Sequence, residues 1–207
     1  IRHNRKEEFI KAIESEMNDL GMSSTKFDVE IMSDEDEDGI LIVDGVNIKA
    51  NVYGIDNIEF IIAPNKQSIF QPLRKIASGG EISRIMLSLK NVLSLGDYCE
   101  TMVFDEIDVG VGGRIAEVIG EKIAALSKRK QILSVTHLAQ IAIYANTHFK
   151  VIKNEGEDNV TSTIEELNEN TRVGEIARMI TGKEITEASI KHAAELLEGA
   201  RKSNIFI

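Results

Sequence analysis

The chain has 207 residues, of which 43% are hydrophobic and 28% are charged. This composition suffices for one sizeable core, or for a core with a small appended lobe, and it is too apolar for a chain that is disordered throughout. The net charge of −10 excludes a globally basic nucleic-acid coat, although not a local basic strip. The single cysteine, Cys99, allows no internal disulfide, and no apolar run approaches the roughly 20 residues of a membrane helix.

The N-terminal segment combines charge with a helical apolar stripe. It starts with Ile1 in place of an initiator Met and has no apolar core behind its first charges, which indicates a piece of a longer chain and no signal peptide. Apolar residues at three- and four-residue steps predict an amphipathic helix over residues 5–20, ended by Gly21. Its narrow stripe is typical of the last turns of a coiled coil or of a helix lying on a sheet.

After Gly21 the apolar period changes to two, which predicts an antiparallel β region over residues 26–63. Its candidate strands are residues 27–31, 40–43 and 58–63. The acidic block from Ser33 to Gly39 predicts a solvated turn between the first two of these strands.

The acidic block also matches the start of an EF-hand loop. Asp34, Asp36 and Asp38 stand at alternate positions before Gly39. However, Gly45 occupies the position where the loop needs its bidentate Glu, and the flanking patterns are those of strands. We therefore expect no calcium site here.

From Gly79 onward, helix and strand patterns alternate along the chain. Helices are predicted at residues 80–95, 113–127, 138–145, 172–181 and 187–202, and strands at residues 101–104, 131–135, 148–154 and 161–167, with a turn at 155–159. The strands at 101 and 131 are continuous apolar runs, which favours a parallel sheet with helices on both faces. The predicted fold class is therefore α/β, a mainly parallel sheet with flanking helices plus an antiparallel β region.

A polar segment with two glycines precedes the predicted helix at residue 80. Ser78 and Glu81 match a capping box, in which each side chain binds a backbone N–H group of the first turn. Gly79 and Gly80 remove side chains where N–H groups emerge at the positive helix end, which suits close approach of a phosphate. The two interpretations are compatible, because a capped helix start can also hold an anion.

Two adjacent carboxylates, Asp105 and Glu106, end the buried strand at residues 101–104. In open α/β sheets, ligands bind at the carboxyl ends of strands. An Asp there can hold Mg²⁺, directly or through water, and the neighbouring Glu can orient or deprotonate a water. The alternative is a strand that simply stops at a solvated loop with two charges.

The strand at residues 131–135 ends in a polar group at the same predicted edge. A single histidine such as His137 is more often structural than functional, but its place beside the carboxylates favours a functional role. Asp108 lies three residues past Asp105 and, by itself, indicates an ordinary turn.

In combination, these segments resemble ABC-type ATPases. The run from Ser78 to Glu81 resembles their signature motif, residues 103–106 their Walker B strand, Asp108 their D-loop and His137 their switch histidine. Longer strings are similar to the RecN family of bacterial DNA-repair proteins, relatives of the SMC chromosome proteins. These strings are residues 76–87, 104–114, 135–142 and 174–179, within a resemblance that extends from about Phe27 to Leu197.

One part of the ATPase pattern is missing. A P-loop, G-x-x-x-x-G-K-[ST], supplies a phosphate cradle, a Lys and a Mg²⁺-binding hydroxyl. The only Gly-Lys pair, Gly182-Lys183, is followed by Glu184, and Ala177 stands where the first Gly belongs. In the resembled family the P-loop lies in an N-terminal half, beyond a long coiled coil. The resemblance implies that residues 1–21 end the coiled-coil arm and that residues 22–207 form the C-terminal half of an ATPase head.

The resemblance also implies ATP hydrolysis between two engaged heads in double-strand-break repair, with ATP and Mg²⁺ as cofactors. Asp105 would hold Mg²⁺, Glu106 would act as general base and His137 would contact the γ-phosphate. The nucleotide-binding residues would be Ser78, Gly79, Gly80 and Glu81, which would contact the nucleotide of the opposite head, and Asp108, which would link the two active sites. The implied partners are the N-terminal P-loop half, a second copy of the head and DNA, with no membrane, in the bacterial cytoplasm at the nucleoid.

Other functions stay open at this point. The chain could be the head of a chromosome condensation or cohesion protein, or a non-catalytic interaction module with the same fold. A transporter domain is less favoured, because transporters keep the P-loop and signature motif in one short domain. Without the P-loop half, we expect no ATP hydrolysis by this chain alone. The basic clusters at residues 2–6, 128–130 and 201–202 are expected to be solvated surface, so DNA contact would lie elsewhere.

Overall fold

The structure, a computed structural model, describes residues 2–39, 41–93, 96, 98–155 and 160–206. The predicted strand residue Ile40, the predicted helix residue Leu95 and the turn residues 156–159 lie outside the described residues. The chain divides into two compact units, Ile1–Leu93 and Ser94–Ile207, which are described separately. None of the helices in the described ranges has the length and apolar character needed to cross a membrane.

The first unit contains an antiparallel sheet, as the period-two pattern predicts. Strand β1 (Lys26–Ser33) pairs with β4 (Asp56–Ala63), and β4 pairs with β5 (Gln71–Pro72). In the sequence, a short hairpin lies between β1 and β4. It consists of β2 (Leu41–Val43) and β3 (Val46–Ile48) and turns at Asp44 and Gly45. Both turn residues have positive φ, 49° and 84°, which is the backbone of the tight turns that match strand twist. The strand β3 and the strand β5 were not predicted.

Two helices pack with this sheet in the first unit. Helix α1 (Arg2–Asp19) begins three residues before its predicted start and ends before Gly21, whose φ is 79°. Helix α2 (Gly79–Leu93) supplies the other helical side of the core. The buried residues of this core are Ile13, Met17, Met22, Phe27, Val29, Ile62, Ile85 and Leu89. The C-terminal part of α1 is therefore a component of the first unit's core, which matches the predicted helix lying on a sheet.

The second unit is built around two parallel strands. Strand β6 (Thr101–Phe104) pairs with β7 (Gln131–Ser134), and helix α3 (Gly113–Ser127) connects them. The register opposes Thr101 to Gln131 and Phe104 to Ser134, so the two strands end level with each other. The parallel strand–helix–strand arrangement predicted from the alternating pattern is confirmed.

The expectation that helices cover both faces of β6 and β7 is wrong for the residues that the structure describes. Met102 and Phe104 are buried on one face, whereas the apolar side chains on the other remain exposed. The exposed fractions are 67% for Val103, 50% for Leu133 and 60% for Val135. A continuous apolar run indicates that both faces avoid water, but it does not require the same segment of chain to provide both covers.

The rest of the second unit is a hairpin with three helices. The elements are α4 (Ala139–Ala142), the antiparallel pair β8 (Phe149–Glu155) and β9 (Val160–Glu166), α5 (Glu169–Thr181) and α6 (Glu187–Phe206). Helix α4 is shorter than the predicted 138–145. The guanidinium of Arg172 caps this helix end, because it donates to the carbonyl oxygens of Ala142, Ile143 and Ala145.

Candidate functional site

The candidate catalytic residues lie at the carboxyl ends of β6 and β7. Asp105 and Glu106 directly follow β6, and Thr136 and His137 follow β7 by two and three residues. The backbone N–H of Val135 donates to the carbonyl of Phe104 at 2.9 Å, so the pairing of the strands continues up to the site. Because both strands run in the same direction and end level, the polar groups share one edge of the sheet.

The two carboxylates are exposed on a tight turn. The backbone N–H of Glu106 donates to Oδ1 of Asp105 at 2.9 Å, and the carbonyl of Glu106 accepts from the N–H of Val109 at 3.1 Å. Glu106 has φ 57°, a left-handed backbone that costs a residue other than glycine roughly 1–2 kcal/mol. Such strain is concentrated at functional sites, where the surrounding structure holds a side chain in a required direction. No sequence signal indicated this conformation.

Asp108 and His137 form the most constrained contact of the site. The carboxylate of Asp108 is only 4% exposed, and its Oδ2 lies 2.9 Å from Nδ1 of His137. The same oxygen accepts from the backbone N–H of His137 at 2.9 Å and from the hydroxyl of Thr136 at 2.6 Å. The imidazole is nevertheless 73% exposed at the edge of the site. Asp108 was predicted to link two active sites; here its side chain binds its own chain, and the linking role stays a prediction.

Thr136 is a site residue that sequence reasoning missed. Its hydroxyl donates to Asp108 and accepts from the backbone N–H of Leu138 at 3.0 Å. A Thr hydroxyl commonly accepts from the N–H two residues further on in such a turn, so the available signal was the position of Thr136 three residues ahead of α4. Thr136 therefore joins Asp108 to the first turn after His137.

The signature segment belongs to the first unit and is described there by itself. Helix α2 begins at Gly79, and Oγ of Ser78 accepts from the backbone N–H of Glu81 at 3.4 Å. This is the Ser half of the predicted capping box. Burial lowers the pKa of Arg84 in the next turn, and the carboxylate of Glu81 partly offsets that effect. The phosphate-binding role of Ser78, Gly79 and Gly80 stays a prediction.

The carboxylates fit the Mg²⁺ that the resemblance implies. The described residues contain no group of three or more His, Cys, Asp or Glu side chains placed to hold a metal by themselves. Mg²⁺ is usually bound through one or two carboxylates together with substrate phosphates and water. The exposed carboxylates of Asp105 and Glu106 match that donor set. Substrate phosphates and water would supply the remaining Mg²⁺ ligands.

The fold is similar to part of a solved Smc head domain. The match is to the crystal structure of an Smc head domain with a coiled coil and joint from Pyrococcus yayanosii, with a TM-score of 0.50 and 15% identity. That match covers 93% of this chain and 29% of the other. At this identity the similarity concerns the fold alone.

Sequence comparison identifies the family. The chain is 43% identical over 203 residues to the DNA repair protein RecN of Treponema pallidum and 36% identical over 202 residues to that of Bacillus subtilis. Both matches cover 97% of this chain but only 34% and 35% of the relatives, so the chain spans about a third of their length. No protein-family model matches the chain. The chain belongs to the RecN family.

Proposed function

We propose that this chain is the C-terminal part of an SMC-like ATPase of DNA double-strand-break repair, which hydrolyses ATP between two engaged heads. One observation carries the proposal. Asp105, Glu106 and His137 follow the level ends of two parallel strands, in a chain whose relatives are DNA repair proteins. Acid–base groups and a metal-binding carboxylate at that edge suit phosphoryl transfer to water.

Each polar group at this edge has a separate role in the proposal. Asp105 holds Mg²⁺, directly or through water, and the bound ion neutralises charge on the phosphates. The carboxylate of Glu106 orients the attacking water and accepts its proton; a general base of this kind contributes roughly 10²–10⁴-fold to the rate. His137 contacts the γ-phosphate through the ring edge that faces away from Asp108.

The uncovered sheet face supports a partner segment that carries the P-loop. Val103, Leu133 and Val135 expose an apolar surface next to the site, and β7 pairs with no strand other than β6 in the described part of the chain. An exposed apolar surface of this kind marks an interaction site. We propose that the N-terminal half of the same protein covers it and brings the missing phosphate cradle.

The remaining assignments concern the arm, the second head and DNA. Residues 1–21 are proposed to end a coiled-coil arm, and residues 22–207 to form the C-terminal half of the head. The helix start at Ser78 is proposed to bind the nucleotide of a second copy, in a protein of the bacterial cytoplasm that acts at the nucleoid.

DNA contact is proposed to lie elsewhere in the full protein. Arg2, Arg5 and Lys6 each form an ion pair with a carboxylate within the first unit. In the second unit, Arg201 and Lys202 pair with acidic side chains in the same way. These pairs neutralise two of the three basic clusters, which leaves little positive charge there for phosphates.

The test uses the full-length protein and three substitutions. Glu106→Gln keeps the shape of the side chain but cannot accept a proton, so it should bind ATP, dimerise and stay dimeric while hydrolysis falls roughly 10²–10⁴-fold. Asp105→Asn should also weaken nucleotide binding, because it weakens the Mg²⁺ site. Glu195→Gln, at an exposed position on α6, is the matched control and should behave as wild type.

Two measurements decide the outcome: single-turnover ATP hydrolysis and ATP-dependent dimerisation. Near-wild-type hydrolysis by Glu106→Gln would show that the base lies elsewhere. The chain of 207 residues alone should not hydrolyse ATP, since no group in its sequence replaces the P-loop lysine. Mg²⁺-dependent turnover by the purified chain that is absent from the Glu106→Gln chain would contradict that expectation.

A further inference from the structure

The side chain of Asp108 is engaged inside its own chain, on the residues that carry the candidate histidine. A single oxygen, Oδ2, is within hydrogen-bond distance of the Thr136 hydroxyl, the His137 backbone N–H and His137 Nδ1. Because the carboxylate is 4% exposed, water competes little for these contacts. Hydrogen bonds to a buried charged acceptor are among the stronger ones in proteins.

We propose that Asp108 is a positioning residue that fixes both the orientation and the tautomer of the His137 imidazole, in the same chain. This inference rests on the proposed function for the use of His137, although the contact itself does not. At 2.9 Å the lone pair of an unprotonated Nδ1 would be repelled by the carboxylate oxygen, so Nδ1 carries a hydrogen in the neutral and in the cationic imidazole alike. Nδ1 is therefore the protonated nitrogen, and Nε2 is left for a ligand.

The backbone contact makes this control stricter than a side-chain pair alone. The oxygen that lies 2.9 Å from Nδ1 also accepts from the main-chain N–H of His137, so one carboxylate restrains both the backbone and the ring of that residue. Thr136 ties the same carboxylate to Leu138 at the start of α4. The imidazole is therefore exposed and held in one orientation. Its Nδ1 faces the carboxylate of Asp108, and its Nε2 points away from it.

This geometry distinguishes two roles for Asp108. To reach a second head, the Asp108 carboxylate would have to give up its three contacts with Thr136 and His137. As a positioning residue, Asp108 keeps these contacts when the heads engage. If Asp108 links two heads, loss of the carboxylate should abolish ATP-dependent dimerisation. If Asp108 is a positioning residue, its loss should change the tautomer of His137 while dimerisation persists.

The test determines the tautomer of His137 by NMR in nucleotide-free, full-length protein labelled with ¹⁵N at histidine. Long-range ¹H–¹⁵N spectra report which ring nitrogen carries the proton, and the signal missing in His137→Gln identifies His137. In the wild type we expect the proton on Nδ1. In Asp108→Ala, which removes the acceptor oxygen altogether, that pattern should be lost. Asp108→Glu should restore part of it, since a carboxylate returns. Asp34→Asn, an exposed change in the first unit, should leave the signal unchanged.

The variant Thr136→Val is a control for a general loss of structure in the loop around His137. This variant removes the hydroxyl but keeps the carboxylate, so the proton should stay on Nδ1 of His137. If Thr136→Val and Asp108→Ala lose the pattern equally, the loop as a whole sets the tautomer and the proposal is overturned. An unchanged tautomer in Asp108→Ala overturns it as well.

The kinetic readout separates this proposal from the proposed function. Asp108→Ala should lower kcat for ATP roughly 10–100-fold, the range seen when a partner that orients a metal-ligating histidine is removed, with KM and ATP-dependent dimerisation nearly unchanged. Loss of dimerisation would favour the linking role and overturn this one. If Glu106→Gln hydrolyses ATP normally, the proposed function fails, whereas the tautomer result for Asp108 still stands or falls by itself.

Discussion

Gly120 allows a close approach between α3 and the segment that follows His137. It lies on α3, and a Cβ atom added there would be 2.4 Å from Cδ2 of Tyr144 and 3.0 Å from the carbonyl oxygen of Gln140. The ring of Tyr144 is anchored, since its hydroxyl donates to Oε1 of Glu121 at 3.3 Å. Burial, and then the Glu121 carboxylate, raise the pKa of Tyr144 to about 12. Gly120 thus sets how closely the segment that follows His137 packs on α3.

The change Gly120→Ala combines two opposite effects on the free energy of unfolding. Alanine favours a helix over glycine by about 1 kcal/mol. Overpacking a filled contact costs about 1–3 kcal/mol, because the ring and the backbone of Gln140 must shift. Gly199, in the interior of α6, meets nothing within 4 Å of an added Cβ. Gly199→Ala therefore measures the helix effect alone, and the difference between the two variants, about 1–3 kcal/mol, isolates the close approach.

Urea denaturation of the purified chain, followed by circular dichroism, measures both changes. We expect Gly199→Ala to stabilise by about 1 kcal/mol and Gly120→Ala to be neutral or destabilising by up to about 2 kcal/mol. In a Tyr144→Ala background the penalty at Gly120 should shrink, because the ring that would have to move is absent. If Gly120→Ala stabilises as much as Gly199→Ala, the reasoning from close approach is refuted.

Two further predictions concern stability. Burial, and then the charge of Arg172, lower the pKa of His148, whose Nδ1 is buried without a hydrogen-bond partner in the described structure. Below about pH 6.5 the unfolded chain therefore binds a proton that the folded chain resists, and stability falls by up to about 1.4 kcal/mol per pH unit. Denaturation at about pH 7.5 and 5.5 should show a smaller loss for His148→Gln than for wild type or the exposed control His192→Gln; equal losses would contradict this. Asn168 caps α5, because its side chain accepts from two backbone N–H groups at 3.0 Å. Asn168→Ala should therefore lower the free energy of unfolding by about 1 kcal/mol in the same assay, whereas Asn170→Ala should lower it little. Similar losses for the two variants would contradict the cap.

The architecture of the site edge followed from local pattern. Strand β6 and helix α3 have the predicted bounds, because a short apolar run and a long amphipathic period are properties of neighbouring residues. The rule that ligands meet the carboxyl ends of parallel strands then predicted that Asp105, Glu106 and His137 lie at one edge of the sheet. The order of elements was therefore sufficient to predict which polar residues follow the two strand ends, whereas their catalytic roles stay predictions.

The detail of the site depended on contacts between residues distant in sequence. Asp108 and His137 are 29 residues apart, and no local preference states that one carboxylate oxygen will hold the ring, the backbone and the Thr136 hydroxyl. The left-handed backbone of Glu106 is likewise imposed by the surrounding fold against the intrinsic preference of the residue.

Burial on the faces of the sheet is the third feature that only the tertiary structure decided. The apolar runs of β6 and β7 determine that two faces should avoid water, and this much the sequence contains by itself. Whether a face is covered depends on which segments pack against it, and here the face with Val103 and Leu133 stays exposed. Periodicity measures the preference of a residue for burial, whereas burial itself requires a second surface, and a pattern within one strand does not specify where that surface comes from.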